Sequence, residues 1–206
     1  MKVLLLNGGP HEKGCTYTAL SAIAETLREN GVDSEIFWIG NQPVGGCIGC
    51  GACRGKGKCV FGGVVNEVIE KAAGADAFVF GSPVHYASMT GNMTSLMDRL
   101  AYAGGANLCY KPAAIVASAR RAGTTATLDQ LSKYVQFFHM PMVTASYWPM
   151  VHGSTPDDVR QDLEGMEVMR QLGRNMAWLL HCIEAGKSAG IVHPENPPRP
   201  MTNFIR

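Results

Sequence analysis

The sequence predicts a doubly wound α/β fold, in which helices cover both faces of a five-stranded parallel sheet as a three-layer sandwich. Short apolar runs recur along the 206 residues, and helical stretches separate them. The composition, with 46% hydrophobic and 17% charged residues, is typical of a folded globular protein. Alternation of strand and helix is typical of a parallel sheet, so one doubly wound domain accounts for all of these features.

Five apolar runs predict buried strands. They are KVLLL (2–6), SEIFWI (34–39), AFVFG (77–81), AAIVAS (113–118) and MVTASYW (142–148). Helices are predicted over residues 16–30, 64–74, 92–103, 124–138 and 157–185. In the last of these the apolar residues recur at close to the helical period. Thr155 and Pro156, followed by Asp157 and Asp158, are typical of a helix start.

The chain is predicted to form one domain over residues 1–186, followed by an extended tail over 187–206. A cysteine-rich loop at residues 44–63 is inserted after the second strand. The proline-rich HPENPPRP (193–200) cannot be helical, because proline lacks the backbone N–H.

Charge and hydropathy exclude several classes of partner. A net charge of +1 provides no basic surface for nucleic acid or anionic lipid, and no apolar run approaches the roughly 20 residues of a membrane span. The opening MKVLLLNGGP is interrupted by glycine too soon for a signal peptide. We therefore expect a cytoplasmic protein with reduced thiols, and the odd count of seven cysteines fits that better than a disulfide framework does.

The loop NGGPHEKGCTYT (7–18) leaves the first strand and opens the first helix. Glycines and hydroxyls at a helix start suit a phosphate, because free N–H groups and the positive end of the helix dipole point at it. The loop nearly matches GxxxxGK[ST], but Cys15 replaces the lysine that nucleotide hydrolysis needs, and GxGxxG is absent. The alternatives are a site for one phosphate monoester and a glycine-rich turn without a ligand.

Two further loops follow the third and fourth strands. GSPVHYASMTG (81–91) lets the backbone approach a flat ligand, with His85, Tyr86 and Met89 available to line its face or edge. SARRAGTT (118–125) adds hydroxyls and two arginines. Ligands of such sheets bind at the carboxyl ends of the strands. Three loops of this kind at strand ends predict a mononucleotide pocket.

The run CIGCGACRGKGKC (47–59) places Cys47, Cys50, Cys53 and Cys59 within thirteen residues. A redox-active dithiol would use only two of them, and structural zinc usually takes two CxxC pairs a dozen or more residues apart. The CxxCxxC spacing with a fourth cysteine nearby is typical of ferredoxin runs that bind a cubane cluster. A cluster, zinc and free thiols all remain open.

These motifs resemble the flavodoxin-like NAD(P)H-dependent FMN reductases, and within them the iron–sulfur flavoproteins. The opening GGPHEKGCT (8–16) is similar to the family's G-S-P-R-x-x-G-N-T, and SPVHY (82–86) followed by LMDR (96–99) is similar to its flavin loop. The cysteine spacing CxxCxxCxxxxxC is that of the iron–sulfur flavoproteins. The sequence departs from the family at Gly9, His11 and Cys15, where the family has Ser, Arg and Asn, and at Gly62-Gly63, which replace an acidic pair.

The resemblance implies a flavodoxin-like fold and FMN as the cofactor. The residues implied to bind FMN are Gly9, His11, Gly14, Cys15, Thr16, Thr18, Ser82, Pro83, Val84, His85, Tyr86, Ser118, Arg120, Arg121 and Gly123. Backbone N–H groups of residues 83–87 and 118–124 are expected to stabilise the reduced flavin. No catalytic side chain is expected, because the chemistry takes place at flavin N5. The four cysteines of residues 47–59 are the implied ligands of a [4Fe–4S] cluster.

The implied function is electron transfer from NAD(P)H or a reduced carrier to a small acceptor or a redox partner protein. Without a cluster, the resemblance implies a reductase of quinones, azo compounds, nitroaromatics or free flavin. The alternatives are a flavodoxin-type electron carrier, against which the nearly neutral charge speaks, and a thiol- or metal-based redox sensor. We expect a homodimer or a dimer of dimers, in which the tail with Phe204 and Ile205 reaches across to cover the flavin.

Overall fold

The computed structural model describes residues 1–195, 200 and 202. Its elements in chain order are β1 Lys2–Asn7, α1 Cys15–Glu29, β2 Asp33–Trp38, α2 Val64–Ala73, β3 Ala77–Pro83, α3 Gly91–Gly104, a 3₁₀ turn Gly105–Asn107, β4 Ala113–Ala119, α4 Thr124–Phe137, β5 Met150–His152, α5 Pro156–Gln161 and α6 Leu163–Ser188. Within that described part, the helices are too short or too polar to traverse a lipid bilayer.

The strands form one sheet in the order β2-β1-β3-β4-β5, and every neighbouring pair is parallel. This confirms the predicted α/β three-layer fold. The chain steps from β1 outward to β2 and then returns to the other side of β1 as β3. The carboxyl ends of β1 and β3 therefore flank the switch point, where ligands bind in open sheets of this kind.

Two apolar clusters, one on each face, hold the three layers together. Alternate residues of each strand point to opposite faces, so Leu4 and Phe78 belong to the cluster under α2, α3 and α4. Leu5 and Val79 belong to the cluster under α1 and α6. Because the central strands are buried on both faces, they are continuous apolar runs in the sequence.

The fifth strand lies later than predicted. The segment 142–148 touches β4 only at its start, where Val143 N–H donates to the Ala113 carbonyl at 2.8 Å. The chain rejoins β4 at Met150, which pairs with Ala117. Met142 forms a bridge with Ala113, so the chain advances eight residues from Met142 to Met150 while β4 advances four, from Ala113 to Ala117. The intervening segment therefore bulges from the sheet, and the regular strand is only Met150–His152.

The predicted last helix is divided into α5 and α6. The predicted start is confirmed, since Thr155 caps α5 in a capping box with Asp158. Asp162 then ends α5 and caps α6, because its backbone is not helical and its carboxylate accepts from the Gly165 N–H at 2.9 Å. The same carboxylate accepts from the His152 N–H at 2.7 Å, which ties the break to β5. Helix α6 continues to Ser188, three residues beyond the predicted end.

Candidate functional site

A pocket of about 320 Å³ opens at the carboxyl ends of β1, β3, β4 and β5. It is lined by Gly9, Pro10, His11, Gly14, Cys15, Thr16, Pro83, Val84, His85, Ser118, Ala119, Arg120, Gly153 and Ser154. The three loops singled out in the sequence therefore meet in one place. A fourth loop, after β5, completes the wall.

The carbonyl oxygens of the first loop are bound by side chains of the protein. Thr90 donates to the Gly8 carbonyl at 2.9 Å, the Trp38 indole to the Gly9 carbonyl at 2.8 Å, and the Asn7 amide to the Glu12 carbonyl at 2.9 Å. Because these three carbonyl oxygens already accept hydrogen bonds, they present less negative charge to the pocket. Such a loop attracts an anion.

The first turn of α1 has N–H groups that are available to a ligand. Its N-cap residue, Gly14, makes no side-chain capping hydrogen bond, and the first turn contains no acidic residue. The N–H groups of Cys15, Thr16 and Tyr17 have no partner within the helix, because they belong to its first turn. Together with the helix dipole, they provide a site for a phosphate at the mouth of the pocket.

Cys15 lies in this wall with a protonated thiol. Its sulfur is 3.7 Å from the Gly153 carbonyl oxygen, to which it donates. Burial is the main cause that raises the pKa of the Cys15 thiol, and the negative charge of Asp158 adds to it. Cys15 is therefore a neutral wall residue, in place of the asparagine of the family pattern.

Five residues of the sequence-based set lie outside the pocket lining: Thr18, Ser82, Tyr86, Arg121 and Gly123. The Thr18 hydroxyl donates to the Gly14 carbonyl at 3.2 Å, within its own helix. The Ser82 hydroxyl donates to the Pro83 carbonyl and accepts from the Thr90 N–H. These two hydroxyls shape the loops and do not face the ligand space.

Gly123 supports the pocket from behind. It has φ +94°, and a Cβ there would lie 2.8 Å from Val84 Cγ1 and 2.9 Å from the Ala87 Cα. Only glycine allows this backbone conformation and this close approach together. Tyr86 and Ala87 themselves have positive φ values of 50° and 58°, so the 82–90 loop turns sharply and leaves the Tyr86 ring fully exposed.

The residues that the sequence did not predict include two in the pocket lining and two that support the first loop. Gly153 and Ser154 line the pocket, and Asn7 and Trp38 hold the first loop. Gly153 and Ser154 belong to HGST (152–155), another turn rich in glycine and hydroxyls. They were not predicted because the fifth strand, which precedes this turn, was placed too early in the sequence. Asn7 and Trp38 carried the weaker signal of polar or amphipathic side chains at the ends of buried strands.

The cysteine-rich loop (44–63) encloses a second cavity of about 250 Å³, at the end of α3. Cys47, Cys50, Cys53 and Cys59 all line it. Over residues 1–195, 200 and 202, no three Cys, His, Asp or Glu side chains approach closely enough to hold a single metal ion. The prediction of a cluster is not confirmed by this geometry.

The pocket fits FMN, and the cysteine-rich loop fits a four-iron cluster, each through a different set of chemical groups. The uncapped helix start and the N–H donors fit the phosphate of FMN, and the glycine and proline of the adjoining loops leave room for a flat ring. Four thiols around one cavity are the donor set of a four-iron cluster, which is larger than a single ion and spaces its ligands around itself. Gly49 and Gly51, both with positive φ, allow the tight wrapping.

Comparisons with known proteins give a family match and several relatives. The model of the family described as NADPH-dependent FMN reductase matches residues 1–155. An iron-sulfur flavoprotein of Methanocaldococcus jannaschii is 29% identical over 192 residues, which are 89% of this chain and all of that protein. An iron-sulfur flavoprotein of Methanosarcina thermophila is 24% identical over 191 residues, covering 91% of this chain and 99% of that one.

Solved structures show the same fold. RosB, determined with bound 8-demethyl-8-formylriboflavin-5′-phosphate, superposes with a TM-score of 0.70 at 13% identity, covering 100% of this chain and 95% of RosB. An NAD(P)H:quinone oxidoreductase of Methanothermobacter marburgensis gives a TM-score of 0.63 at 20% identity and covers 85% of this chain and 98% of that one. An archaeal flavodoxin gives 0.59 at 16% identity, with coverage of 88% and 99%.

Proposed function

Because the chain belongs to the NADPH-dependent FMN reductase family, with an FMN-dependent redox role, we propose that it takes electrons from NAD(P)H or a reduced carrier. We further propose that a [4Fe–4S] cluster in the cysteine-rich loop passes them to a small acceptor or a redox partner protein. The names of the curated relatives, iron-sulfur flavoproteins, support the cluster.

One observation carries the FMN proposal. The uncapped first turn of α1 opens into the pocket at the switch point of the sheet, while side chains bind the carbonyl oxygens of the loop before it. The helix start is therefore a site for one phosphate group, and the pocket beside it accepts the rest of a mononucleotide. His11 and Arg120 also line the pocket, where they add positive charge or hydrogen-bond donors.

Bound FMN supplies hydride and single-electron transfer at N5, and the protein binds and orients it. Within the 82–90 loop, Pro83 has no N–H, Val84 donates to the Ser118 carbonyl and His85 donates to the Ser88 carbonyl. Of the N–H groups expected at 83–87, those of Tyr86 and Ala87 remain for the flavin. The strained turn at these two residues is consistent with that role.

The assembly also remains a proposal. The pocket is open on one side, so a homodimer or a dimer of dimers would cover the flavin. Phe204 and Ile205, to which the sequence assigned a part in this cover, lie outside the described residues. Light scattering at micromolar concentration tests the proposal: a dimer or tetramer is expected, and a monomer contradicts it.

The cofactor proposal is tested on the purified full-length protein. Acid release followed by chromatography should give FMN, and NAD(P)H added without oxygen should bleach the visible flavin band. Recovery of FAD, or of no flavin after incubation with FMN, contradicts the proposal. Bleaching by NAD(P)H with turnover of a quinone distinguishes a reductase from a simple electron carrier.

The cluster proposal has its own test. Anaerobic reconstitution should give about four iron and four sulfide per chain, by the cubane formula. Alanine at any one of the four loop cysteines should lower that content sharply with FMN retained, because the flavin pocket is built by other loops. Cys182→Ala, at an exposed thiol of α6, is the matched control. Wild-type protein that holds no iron, or holds zinc, overturns the cluster.

A further inference from the structure

One face of α3 holds the cysteine-rich loop in place. Its polar positions at i, i+3, i+7 and i+10, which share one side of a helix, are Asn92, Ser95, Arg99 and Tyr102. The Asn92 amide accepts from the Val44 N–H at 3.0 Å and donates to the Gln42 carbonyl at 2.9 Å. At the other end, the Tyr102 carbonyl accepts from the Cys53 thiol at 3.5 Å.

Arg99 lies at the centre of this face and is only 6% exposed, which is unusual for a charged residue. Its Nη1 donates to the Gly45 carbonyl at 3.2 Å and its Nη2 to the Gly62 carbonyl at 2.9 Å. Its Nε donates to the Cys59 sulfur at 3.3 Å. One buried guanidinium therefore ties together the start of the loop, its end and its last thiol.

Cys59 is fixed from a second direction by Asn66 of α2. The Asn66 amide accepts from the Cys59 N–H at 2.8 Å and donates to the Cys59 carbonyl at 3.0 Å. Both backbone groups and the sulfur of this one residue are thus held by side chains of neighbouring helices. Cys47 and Cys50 are exposed, whereas Cys53 is half-buried like Cys59.

A buried cation beside a thiol also acts electrostatically. Reducing an iron–sulfur cluster adds negative charge, which a nearby guanidinium stabilises most where water is excluded. Hydrogen bonds to the cysteine sulfur act in the same direction and raise the reduction potential. Arg99 makes both kinds of contact with one sulfur.

We propose that Arg99 is a positioning residue for the cysteine-rich loop, which orients Cys59 as a ligand and raises the reduction potential of the cluster. The proposal deepens the proposed function and rests on it for the cluster, whereas the anchoring of the loop does not depend on any metal. Arg99 touches no part of the flavin pocket, so its role is separate from FMN binding.

The anchoring is tested on the full-length protein without iron. Arg54, Lys56 and Lys58 are exposed trypsin sites within the loop. Losing the three part-buried hydrogen bonds of Arg99 should open the loop more often, so trypsin should cleave Arg99→Gln there roughly tenfold faster than wild type, or more. Arg28→Gln, which removes an exposed arginine from α1 on the opposite face of the sheet, is the matched control and should leave cleavage unchanged.

The effect on the cluster is tested after anaerobic reconstitution. Arg99→Gln should lose iron to a ferrous chelator about tenfold faster or more, as is typical for loss of a residue that orients a metal ligand. Its cluster should be reduced at a more negative potential. Arg99→Lys keeps the charge but cannot reach three acceptors, so it should lose iron faster while its potential stays close to that of wild type.

Different results overturn different claims. If wild-type protein takes up no iron, the cluster fails, and the trypsin experiment still decides whether Arg99 anchors the loop. The proposal is overturned if the Arg99→Gln protein is cleaved and loses iron at wild-type rates. It is also overturned if the reduction potential of the cluster in that variant is unchanged. If Arg99→Gln does not fold, which circular dichroism and FMN content reveal, Arg99→Lys decides: unchanged cleavage of its loop refutes the anchoring role.

Discussion

The hydroxyl oxygens of Thr16 and Ser118 lie 2.8 Å apart and join the first turn of α1 to the end of β4. The two residues are 2% and 1% exposed, so little water reaches either hydroxyl. This hydrogen bond lies at the floor of the pocket that we propose binds FMN, and it joins the helix start to the sheet. Removing either hydroxyl alone should therefore lower the stability of the fold.

Thr16→Val and Ser118→Ala should each lower the free energy of unfolding by about 1–2 kcal/mol, because each leaves a buried hydroxyl without its partner. The double variant should lose less than the sum, with a coupling of about 1 kcal/mol. Urea unfolding measures all four proteins. Thr26→Val is the control, since the Thr26 hydroxyl donates within its own helix and should combine additively with Ser118→Ala.

Gly123→Ala should weaken FMN binding about tenfold or more, because the new Cβ would displace Val84 and Ala87 in the pocket loop. Its positive φ should also cost about 1 kcal/mol of stability. Gly31→Ala is a matched control: Gly31 has φ +73° and open space around its Cβ position. Fluorescence titration with FMN should show weaker binding for Gly123→Ala alone; equal affinities in both variants would refute the structural reason.

Cys15 should be alkylated slowly at neutral pH. Burial raises the pKa of its thiol, so less of the reactive thiolate is present than at an ordinary cysteine. The rate should rise with pH and continue to rise above the pH at which exposed thiols level off. FMN should slow it further, because Cys15 lines the pocket. Mass spectrometry after iodoacetamide treatment measures this, with exposed Cys182 as the internal reference. Equal rates at the two thiols contradict the prediction.

Glu35 should make stability depend on pH at the acidic end. Hydrogen bonds from Lys2 first, and then from Lys71, lower the pKa of its carboxyl. A carboxyl whose pKa is lower in the folded state contributes stability at neutral pH, and that contribution is lost as the pH falls through the folded pKa. Glu35→Gln should therefore be less stable than wild type at pH 7, by about 1 kcal/mol or less for such partly exposed pairs.

The melting temperatures of wild type and Glu35→Gln should converge as the pH falls into the range where the wild-type carboxyl is protonated. Glu25→Gln is the control, because Glu25 lies 3.8 Å from a single exposed arginine, Arg28. Its difference from wild type should be small at every pH. A stability gap for Glu35→Gln that persists in acid would show that the effect is not electrostatic.

The fold was predictable because its central strands are buried on both faces. Runs such as KVLLL and AFVFG have no polar face, and such runs alternating with helices leave few topologies. The fifth strand was misplaced because MVTASYW has strand-like residues throughout, although its middle bulges from β4. Asp162 divided the last helix through a contact with His152, and a tertiary hydrogen bond of this kind leaves no periodic signal.

The pocket was predictable as a set of loops and less so as a set of side chains. Glycine, proline and hydroxyls marked the loops after β1, β3 and β4. Whether a hydroxyl faces the ligand or its own backbone depends on rotamers and neighbours, so the sequence could not separate Thr16 from Thr18. The anchoring by Arg99 was also out of reach, because its partners come from residues 37 to 54 positions away in the chain.

The short fifth strand has a consequence for solubility during folding and storage. A long, flat edge strand offers unpaired N–H and C=O groups that a second molecule can extend into a shared sheet, the first step of ordered aggregation. Here β5 offers only three residues, and the chain before it departs from the sheet. The opposite edge, β2, carries Asp33 and Glu35. Straightening the 142–148 segment onto β4 by design would remove this protection and should promote fibrillar aggregation.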